Sequence, residues 1–175
     1  ARDLGGTVAA RLAGGVVRGY DHGRADWGPR ALGNRSVLAD PRDPAIKDRI
    51  NAVLKRRDWF MPFAPSILQE RAGDYLACVR DSPFMILPDP VTGRAKPEIP
   101  AAIHVDGTAR PHLVQQAVQP AYHAIIRAFA ERTGVGAVLN TSFNRHGLPI
   151  VDTPRDAVEH LQWGAVDELV LGPFL

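Results

Sequence analysis

The sequence predicts an α/β fold made of one domain, in which helices cover the faces of a twisted, mostly parallel or mixed sheet. Three observations support this prediction. Segments with strand and helix patterns alternate along the whole chain. The chain has 175 residues, a length typical of one domain with a sizeable core. Its composition, 45% hydrophobic and 23% charged, is that of an ordinary globular protein.

Glycine, proline and capping residues set the predicted boundaries in the first part of the chain. A helix over 7–12, with Thr7 as a possible cap, ends at Gly14. A helix over 45–54 begins after Asp43 as cap and Pro44 at its first position. The proline-rich segment 59–65 is predicted to be a rigid segment that wedges against a ligand or partner, because proline disfavours a central strand. The other predicted elements are strands over 16–20, 37–39, 66–68 and 84–87 and a helix over 72–79.

The second part of the chain starts with residues 88–100, which are rich in proline and predict a mobile loop. A helix over 120–131 has one apolar face and ends near Gly134. A core strand over 136–139 then leads to Asn140 and the polar residues that follow it, and the end of such a strand is where open α/β sheets bind ligands. Thr153 caps a helix that runs to residue 162. The remaining predicted strands cover 149–151 and 168–171.

Composition excludes several classes of function. The net charge of +2 is too small to indicate a nucleic-acid partner. The single cysteine, Cys78, provides neither a disulfide framework nor a cysteine metal site. The sequence contains no signal-peptide pattern and no apolar run long enough to span a membrane, so we expect a cytoplasmic protein without a membrane partner.

The segment 28–36 has the composition of an anion-binding loop. Arg30 and Arg35 supply two guanidinium groups, Gly28 and Gly33 allow the backbone to approach a ligand, and Ser36 adds a hydroxyl. An alternative interpretation is that the arginines are solvated loop charges and the glycines are turn residues. Two further segments, 55–66 and 140–144, also place cations, hydroxyls or amides beside proline or aromatic residues, which favours the anion-binding interpretation.

Structural roles stay open for some of these groups. Lys55 and Arg57 lie near a helix C-terminus, where the helix dipole alone favours cations. His104, Asp106 and Arg110 surround an Asp-Gly turn and are all able to bind a ligand, although a lone histidine is often a hydrogen-bonded structural residue.

Taken together, the segments 28–36, 55–66, 104–110 and 140–144 resemble the C-terminal domain of the O-carbamoyltransferases of the NodU, CmcH and TobZ type. The resemblance implies a YrdC-like fold over residues 1–175 that binds ATP and carbamoyl phosphate and forms carbamoyladenylate. It also implies an actin-like, metal-binding transfer domain, absent from this sequence, which acts in cis or as a separate chain. That domain would pass the carbamoyl group to a hydroxyl of a sugar, antibiotic or other natural product.

The resemblance also implies roles for individual residues. Lys55 and Arg57 would be catalytic and hold the carbamoyl oxygens and phosphate, while Ser142 and Asn144 would position the adenylate. Magnesium would be held mainly by phosphates and water, with no metal ligated by the protein. The other residues implied to bind substrate or nucleotide are Arg30, Arg35, Ser36, Ser66, His104, Asp106, Arg110, Asn140 and Thr141.

The sequence departs from the family pattern in three places. Met61 stands where an arginine is expected, residues 145–149 differ from the expected Val-Arg-Gly-Glu-Pro, and residues 112–113 differ from the expected Gln-Thr. Met61 and the altered segment at 145–146 favour an alternative, a non-catalytic module that keeps the YrdC-like fold and binds a nucleotide or packs on a partner. Binding of double-stranded RNA rests on fold analogy alone.

Overall fold

A six-stranded mixed sheet and a small two-stranded sheet organise the chain. This computed structural model describes residues 3–81 and 83–175. The strands are β1 Arg18–Asp21, β2 Arg35–Ala39, β3 Ala64–Leu68, β4 Asp89–Pro90, β5 Thr108–Ala109, β6 His112–Val114, β7 Ala137–Ser142 and β8 Glu168–Leu171. The order in the large sheet is β6-β3-β7-β2-β1-β8, and β4 pairs with β5.

The large sheet is mixed, as predicted. Its four central strands run antiparallel to one another, in the pairs β3–β7, β7–β2 and β2–β1. The outer strands β6 and β8 run parallel to β3 and β1. Strand β7 therefore lies inside the sheet with a partner on each side. Asn140 pairs with both neighbouring strands, whereas Thr141 and Ser142 pair with β2 alone.

Helices cover both faces of the sheet. Side chains alternate between the faces along each strand, so Leu38 joins one hydrophobic cluster with Phe129 and Leu12, whereas Val37 joins the other cluster with Ile50. Predicted caps account for two helix ends: Gly134, with φ +80°, ends α5, and Thr153 forms a capping box with Asp156 at the start of α6. The helices are α1 Leu4–Ala13, α2 Ala45–Ile50, α3 Ala72–Tyr75, α4 Ala95–Glu98, α5 Pro120–Thr133 and α6 Pro154–Gln162.

Helix α2 is shorter than predicted. It ends at Ile50, and a single π-helical turn, Asn51–Lys55, follows. Arg56 then takes a left-handed conformation with φ 48° and ends the turn. π-helical turns are rare, and those that occur are frequently found at functional sites. Here the turn sets the direction in which Lys55 and Arg57 leave the helix.

Other predicted elements were wrong. The segment 84–87 is not a strand because Met85 has φ +53°, which breaks an extended chain. The segment 149–151 is also not a strand, and the predicted helix over 72–79 ends at Tyr75. The predicted loop over 88–100 instead contains β4 and α4. The predicted cap of α1 was Thr7, but Asp3 caps it by accepting from Gly6 N at 3.0 Å.

Pro65 corrects a further prediction, because it lies in β3, inside the sheet. Strand β6 pairs with β3 only from Ser66 onward. The β6 side of β3 is therefore open at Pro65, and proline is tolerated at such an edge. Among the helices of the described residues, none is long and apolar enough to cross a membrane.

Candidate anion-binding site

A cavity of about 80 Å³ lies at the carboxyl end of β7. Three arginines line it, and the described residues of its wall include no acidic side chain. Cationic groups concentrated in one small space, with no carboxylate to neutralise them, favour an anionic ligand. The lining residues are Pro29, Arg30, Ala31, Arg57, Pro62, Phe63, Ala64, Met85, Arg110, Asn140, Thr141 and Ser142.

Arg57 is held in place by three contacts. Its Nε donates to Asn51 Oδ1 at 2.7 Å and its Nη2 donates to the Pro62 carbonyl at 3.1 Å. The guanidinium also lies over the Phe63 ring, 4.7 Å from its centroid. A guanidinium has five N–H donors, so these contacts orient Arg57 and leave donors for a ligand.

The other two arginines of the cavity raise its positive potential. Burial, followed by the charge of Arg30, lowers the pKa of Arg110. Burial, followed by the charge of Arg110, lowers the pKa of Arg57. The Arg110 Nε is buried and has no hydrogen-bond partner within the described chain. Mutual repulsion of this kind is relieved when an anion binds between the arginines.

Lys55 lies behind the cavity wall. Its side chain is 3% exposed, and its Nζ contacts Ser142 O at 2.6 Å, Ser142 Oγ at 2.9 Å, Asn144 O at 3.0 Å and Asn144 Oδ1 at 2.8 Å. Ser142 Oγ in turn donates to Asn144 Oδ1 at 2.7 Å. Burial, followed by the charge of Arg57, lowers the pKa of Lys55 to about 7. Lys55 thus fixes the turn that follows β7. Ser142, at the start of this turn, lines the cavity.

The lowered pKa of Lys55 predicts that the free energy of unfolding rises with pH. Between the folded pKa of about 7 and the reference value of 10.5, the unfolded chain keeps a proton that folded Lys55 loses, so stability increases as pH rises through this window. One pH unit corresponds to about 1.4 kcal/mol at most. We expect urea unfolding to give a gain of about 2 kcal/mol between about pH 7.5 and 9.5.

The control for this prediction is Lys55→Met, which removes the titrating group and fills the same space. Its unfolding free energy should change by less than about 0.5 kcal/mol over the same pH range. A wild-type stability that stays flat or falls over this range would contradict the assignment of a depressed pKa to Lys55.

Asn140 links the cavity to the sheet core. It is 1% exposed, and its Nδ2 donates to Ala31 O at 3.0 Å and to Ser66 Oγ at 2.9 Å. Ser66 Oγ also lies 3.2 Å from Nδ1 of His112. Burial lowers the pKa of His112 to about 4, so this histidine is neutral at physiological pH. Ser66 therefore supports Asn140 from behind the cavity wall.

Arg35 and Ser36 lie away from the cavity wall. Arg35 is buried, contacts Asp21 at 3.0 Å and donates to the carbonyl groups of His22, Gly23 and Asn34. Ser36 Oγ accepts from Gly33 N at 3.2 Å. These contacts shape the base of the predicted loop and leave Arg30 as the arginine of segment 28–36 that reaches the cavity.

Gly33 is required by the local geometry. It has φ +96°, and a Cβ added there would lie 2.4 Å from the Tyr122 ring. A side chain at this position would therefore push the loop away from α5. The glycine allows the backbone to pass over Tyr122 on its way to Arg30.

His104 and Asp106 build the turn that precedes β5. Asp106 Oδ1 accepts from Thr108 N at 2.9 Å and from Thr108 Oγ1 at 2.7 Å, and these hydrogen bonds lower the pKa of Asp106. His104 Nδ1 lies 3.1 Å from Thr108 Oγ1. Burial lowers the pKa of His104. Neither side chain lines the cavity, so within this segment Arg110 alone reaches it.

All three departures from the family pattern, at 61, 112–113 and 145–149, lie outside the cavity. Met61 is half-buried and does not line the wall, although its backbone carbonyl accepts from Asn51 Nδ2 at 3.1 Å. The Arg145 guanidinium lies over the Trp163 ring, 4.8 Å from its centroid. The unusual residues at 61 and 145 therefore leave the three cavity arginines in place.

Residues that sequence reasoning did not assign to the site include Asn51, Phe63 and Met85. Phe63 belongs to the segment 59–65, which the sequence predicted to wedge against a ligand or partner, so its position at the site could have been predicted from that segment. Asn51 and Met85 had no comparable signal, because a π turn and a positive φ bring them into position. Among the described residues, no group of three or more His, Cys, Asp or Glu side chains could hold a metal ion.

Comparison with known proteins gives a consistent result. The family described as Carbamoyltransferase C-terminus matches residues 9–175. The chain is 45% identical over 176 residues to nodulation protein NolNO of Sinorhizobium fredii, covering 99% of this chain and 26% of that protein. It is 34% identical over 165 residues to the 3′-hydroxymethylcephem-O-carbamoyltransferase of Streptomyces clavuligerus, covering 94% of this chain and 31% of that protein. The chain thus spans about a quarter to a third of these curated relatives.

Solved structures show the same fold. Full-length HypF, crystallised in a phosphate- and nucleotide-bound form, superposes with a TM-score of 0.69 at 18% identity, covering 97% of this chain and 25% of that chain. At this identity the comparison concerns the fold alone, and the fold is YrdC-like, as predicted from the sequence.

Proposed function

The chain belongs to the carbamoyltransferase C-terminal family, and from this premise we propose that it is the ATP-dependent activation domain of an O-carbamoyltransferase. Membership of the family carries carbamoyl-transfer chemistry with it. The observation that supports the finer proposal is the cavity lined by Arg30, Arg57 and Arg110, with Ser142 at its wall. Such a cavity suits a substrate made of phosphates and a carbamoyl group.

The proposed reaction forms carbamoyladenylate. Water cleaves carbamoyl phosphate to carbamate and inorganic phosphate. A carbamate oxygen then attacks the α-phosphorus of ATP, the bond from that phosphorus to the oxygen bridging to the β-phosphate breaks, and pyrophosphate leaves with the electron pair. Negative charge grows on the α-phosphate and on the leaving group, where oriented cations and N–H donors stabilise it.

The chain's own residues take distinct roles in this proposal. Arg57 and Arg110 bind the phosphate and carbamoyl oxygens inside the cavity, and Arg30 binds further phosphate oxygens at its exposed rim. Ser142 lies at the cavity wall and positions the adenylate. Lys55 acts mainly as a positioning residue, because its Nζ is engaged by oxygens of Ser142 and Asn144. Magnesium enters with ATP and is held by phosphates and water.

Transfer of the carbamoyl group to an acceptor hydroxyl is proposed for a separate, N-terminal part of the enzyme. The relatives are about three to four times as long as the matched region, which leaves room for such a part in cis. The acceptor is proposed to be a natural-product hydroxyl. The name of the Streptomyces relative supports this class, since it describes carbamoylation of a hydroxymethyl group on a cephem.

The experiment for this proposal is mass spectrometry of the chain incubated with ATP, Mg²⁺ and carbamoyl phosphate. We expect carbamoyladenylate and pyrophosphate, and neither product when carbamoyl phosphate is omitted. Thermal unfolding adds a second readout, because a tightly bound intermediate should raise Tm by more than ATP and carbamoyl phosphate raise it separately. A folded chain that binds ATP but gives neither product nor synergy would support the non-catalytic module instead.

A further inference from the structure

The side-chain carbonyl of Asn140 is a buried acceptor at the cavity wall. Asn140 is 1% exposed and lines the cavity beside Ala31 and Arg110. Its Oδ1 has no hydrogen-bond partner in residues 3–81 and 83–175. Buried carbonyl oxygens in folded proteins almost always accept a hydrogen bond. Oδ1 also has almost no accessible surface in this structure, so a ligand that supplies the missing donor reaches it by displacing part of the cavity wall.

The orientation of the Asn140 amide is fixed by its neighbours. Its Nδ2 lies 3.0 Å from Ala31 O, which can only accept. Rotating the amide by 180° would bring two carbonyl oxygens together, whereas the hydroxyl of Ser66 can either donate or accept and so does not decide the orientation. The atom left for a ligand is consequently Oδ1, and it can only accept.

The surrounding groups of the cavity have the opposite character. Arg110 Nε is a buried donor without a partner in the described part of the chain, and Arg57 and Arg30 add further cationic donors. The complementary ligand is an anion that also carries a donor group. A carbamoyl group has this combination, since its NH₂ lies beside anionic oxygens.

We propose that Asn140 is a specificity-determining residue that recognises the NH₂ of the carbamoyl substrate through its Oδ1. The inference rests on the proposed function, and it adds how the site would discriminate a carbamoyl group from other acyl groups. An acetyl group has nearly the same shape, but its methyl cannot donate, so it leaves Oδ1 buried and unpaired. Sites that hydrogen-bond a substrate N–H reject analogues that lack it far more strongly than apolar pockets do.

The test compares carbamoyl phosphate with acetyl phosphate on the 175-residue chain, in the presence of ATP and Mg²⁺. Pyrophosphate release by the wild-type chain should favour carbamoyl phosphate by about 100-fold or more in kcat/KM. In Asn140→Leu this preference should fall below about 10-fold, through loss of activity with carbamoyl phosphate. Ser66→Ala removes one anchor of the amide but keeps Oδ1, and it should retain the preference.

Each outcome decides the proposal. Asn140→Leu loses two hydrogen bonds and can fail to fold. The comparison made with the wild-type chain does not depend on this variant, because equal rates of pyrophosphate release with carbamoyl phosphate and acetyl phosphate overturn the role of Asn140. A folded Asn140→Leu that keeps the full preference also overturns it. In both cases carbamoyladenylate would still form, so the proposed function would stand. If neither phosphate supports pyrophosphate release, the proposed function fails. The role of Asn140 is then tested by calorimetry without ATP, and equal affinities of the chain for carbamoyl phosphate and acetyl phosphate would overturn it as well.

Discussion

Arg57→Ala is expected to lower the rate of carbamoyl-dependent pyrophosphate release by about 100- to 1,000-fold. Arg57 lines the cavity and is oriented by Asn51, Pro62 and Phe63, so its donors are in place before the reaction begins. Losing one preorganised donor to a developing negative charge has an effect of this size in other enzymes. The measurement is the pyrophosphate release rate at saturating ATP, with Tm recorded on the same samples.

Arg56 provides a matched control. It is the adjacent residue, carries the same charge, is exposed and does not line the cavity. Asparagine tolerates the left-handed conformation of this position, so Arg56→Asn should change the rate by less than about 2-fold, as expected for an exposed charge outside the site. An unchanged rate in Arg57→Ala would remove Arg57 from the site, and loss of the folded state would show that its role is structural.

Glu168→Ala is expected to lower the free energy of unfolding by about 3–5 kcal/mol. Arg18, on β1, is fully buried and faces Glu168 directly across the parallel pair with β8. Glu168 pairs with the Arg18 guanidinium, and also with the exposed Arg11. Burial, followed by the charge of Arg11, lowers the pKa of Arg18 to about 10. Among residues 3–81 and 83–175, Arg18 pairs with no other carboxylate, so removing Glu168 leaves the buried cation without a counter-charge there.

Two variants control for this prediction, and urea unfolding measures all of them. Glu131→Ala removes a carboxylate from the exposed pair with Arg127, so it should lower stability by no more than about 0.5 kcal/mol. Adding Arg18→Met to Glu168→Ala removes the buried charge itself and should recover most of the lost stability. If Glu168→Ala costs no more than Glu131→Ala, the buried pair does not stabilise the fold.

Local patterns predicted much of the fold because their physical causes are local. The end of α5 needs a residue that accepts a positive φ, and Gly134 provides it. The start of α6 is fixed by hydrogen bonds between Thr153 and Asp156, three residues apart. The polar residues from Asn140 onward follow an apolar strand, and this order placed them at the end of β7. These elements could be read from the sequence because each depends on a few neighbouring residues.

The site was harder to predict because its partners come from distant parts of the chain. Arg30 and Arg35 look equivalent in sequence, but the pairing of β1 with β2 sets Asp21 opposite Arg35 and binds that guanidinium inside the fold. The predicted strand over 84–87 failed because a short apolar run does not reveal a positive φ. The position of Lys55 behind the cavity wall could not be predicted either, because it depends on the π turn Asn51–Lys55.

The parallel pairing of β1 with β8 has a consequence for the order in which the protein forms. Val17 and Asp167, which are hydrogen-bonded next to this pair, are 150 residues apart in the sequence. Closing a chain segment of this length costs about 4 kcal/mol of entropy. During synthesis, Arg18 emerges long before Glu168, so the growing chain carries a cation whose partner has not yet been made. The edge of the sheet should therefore be the last part to assemble, after the strands around the cavity have paired.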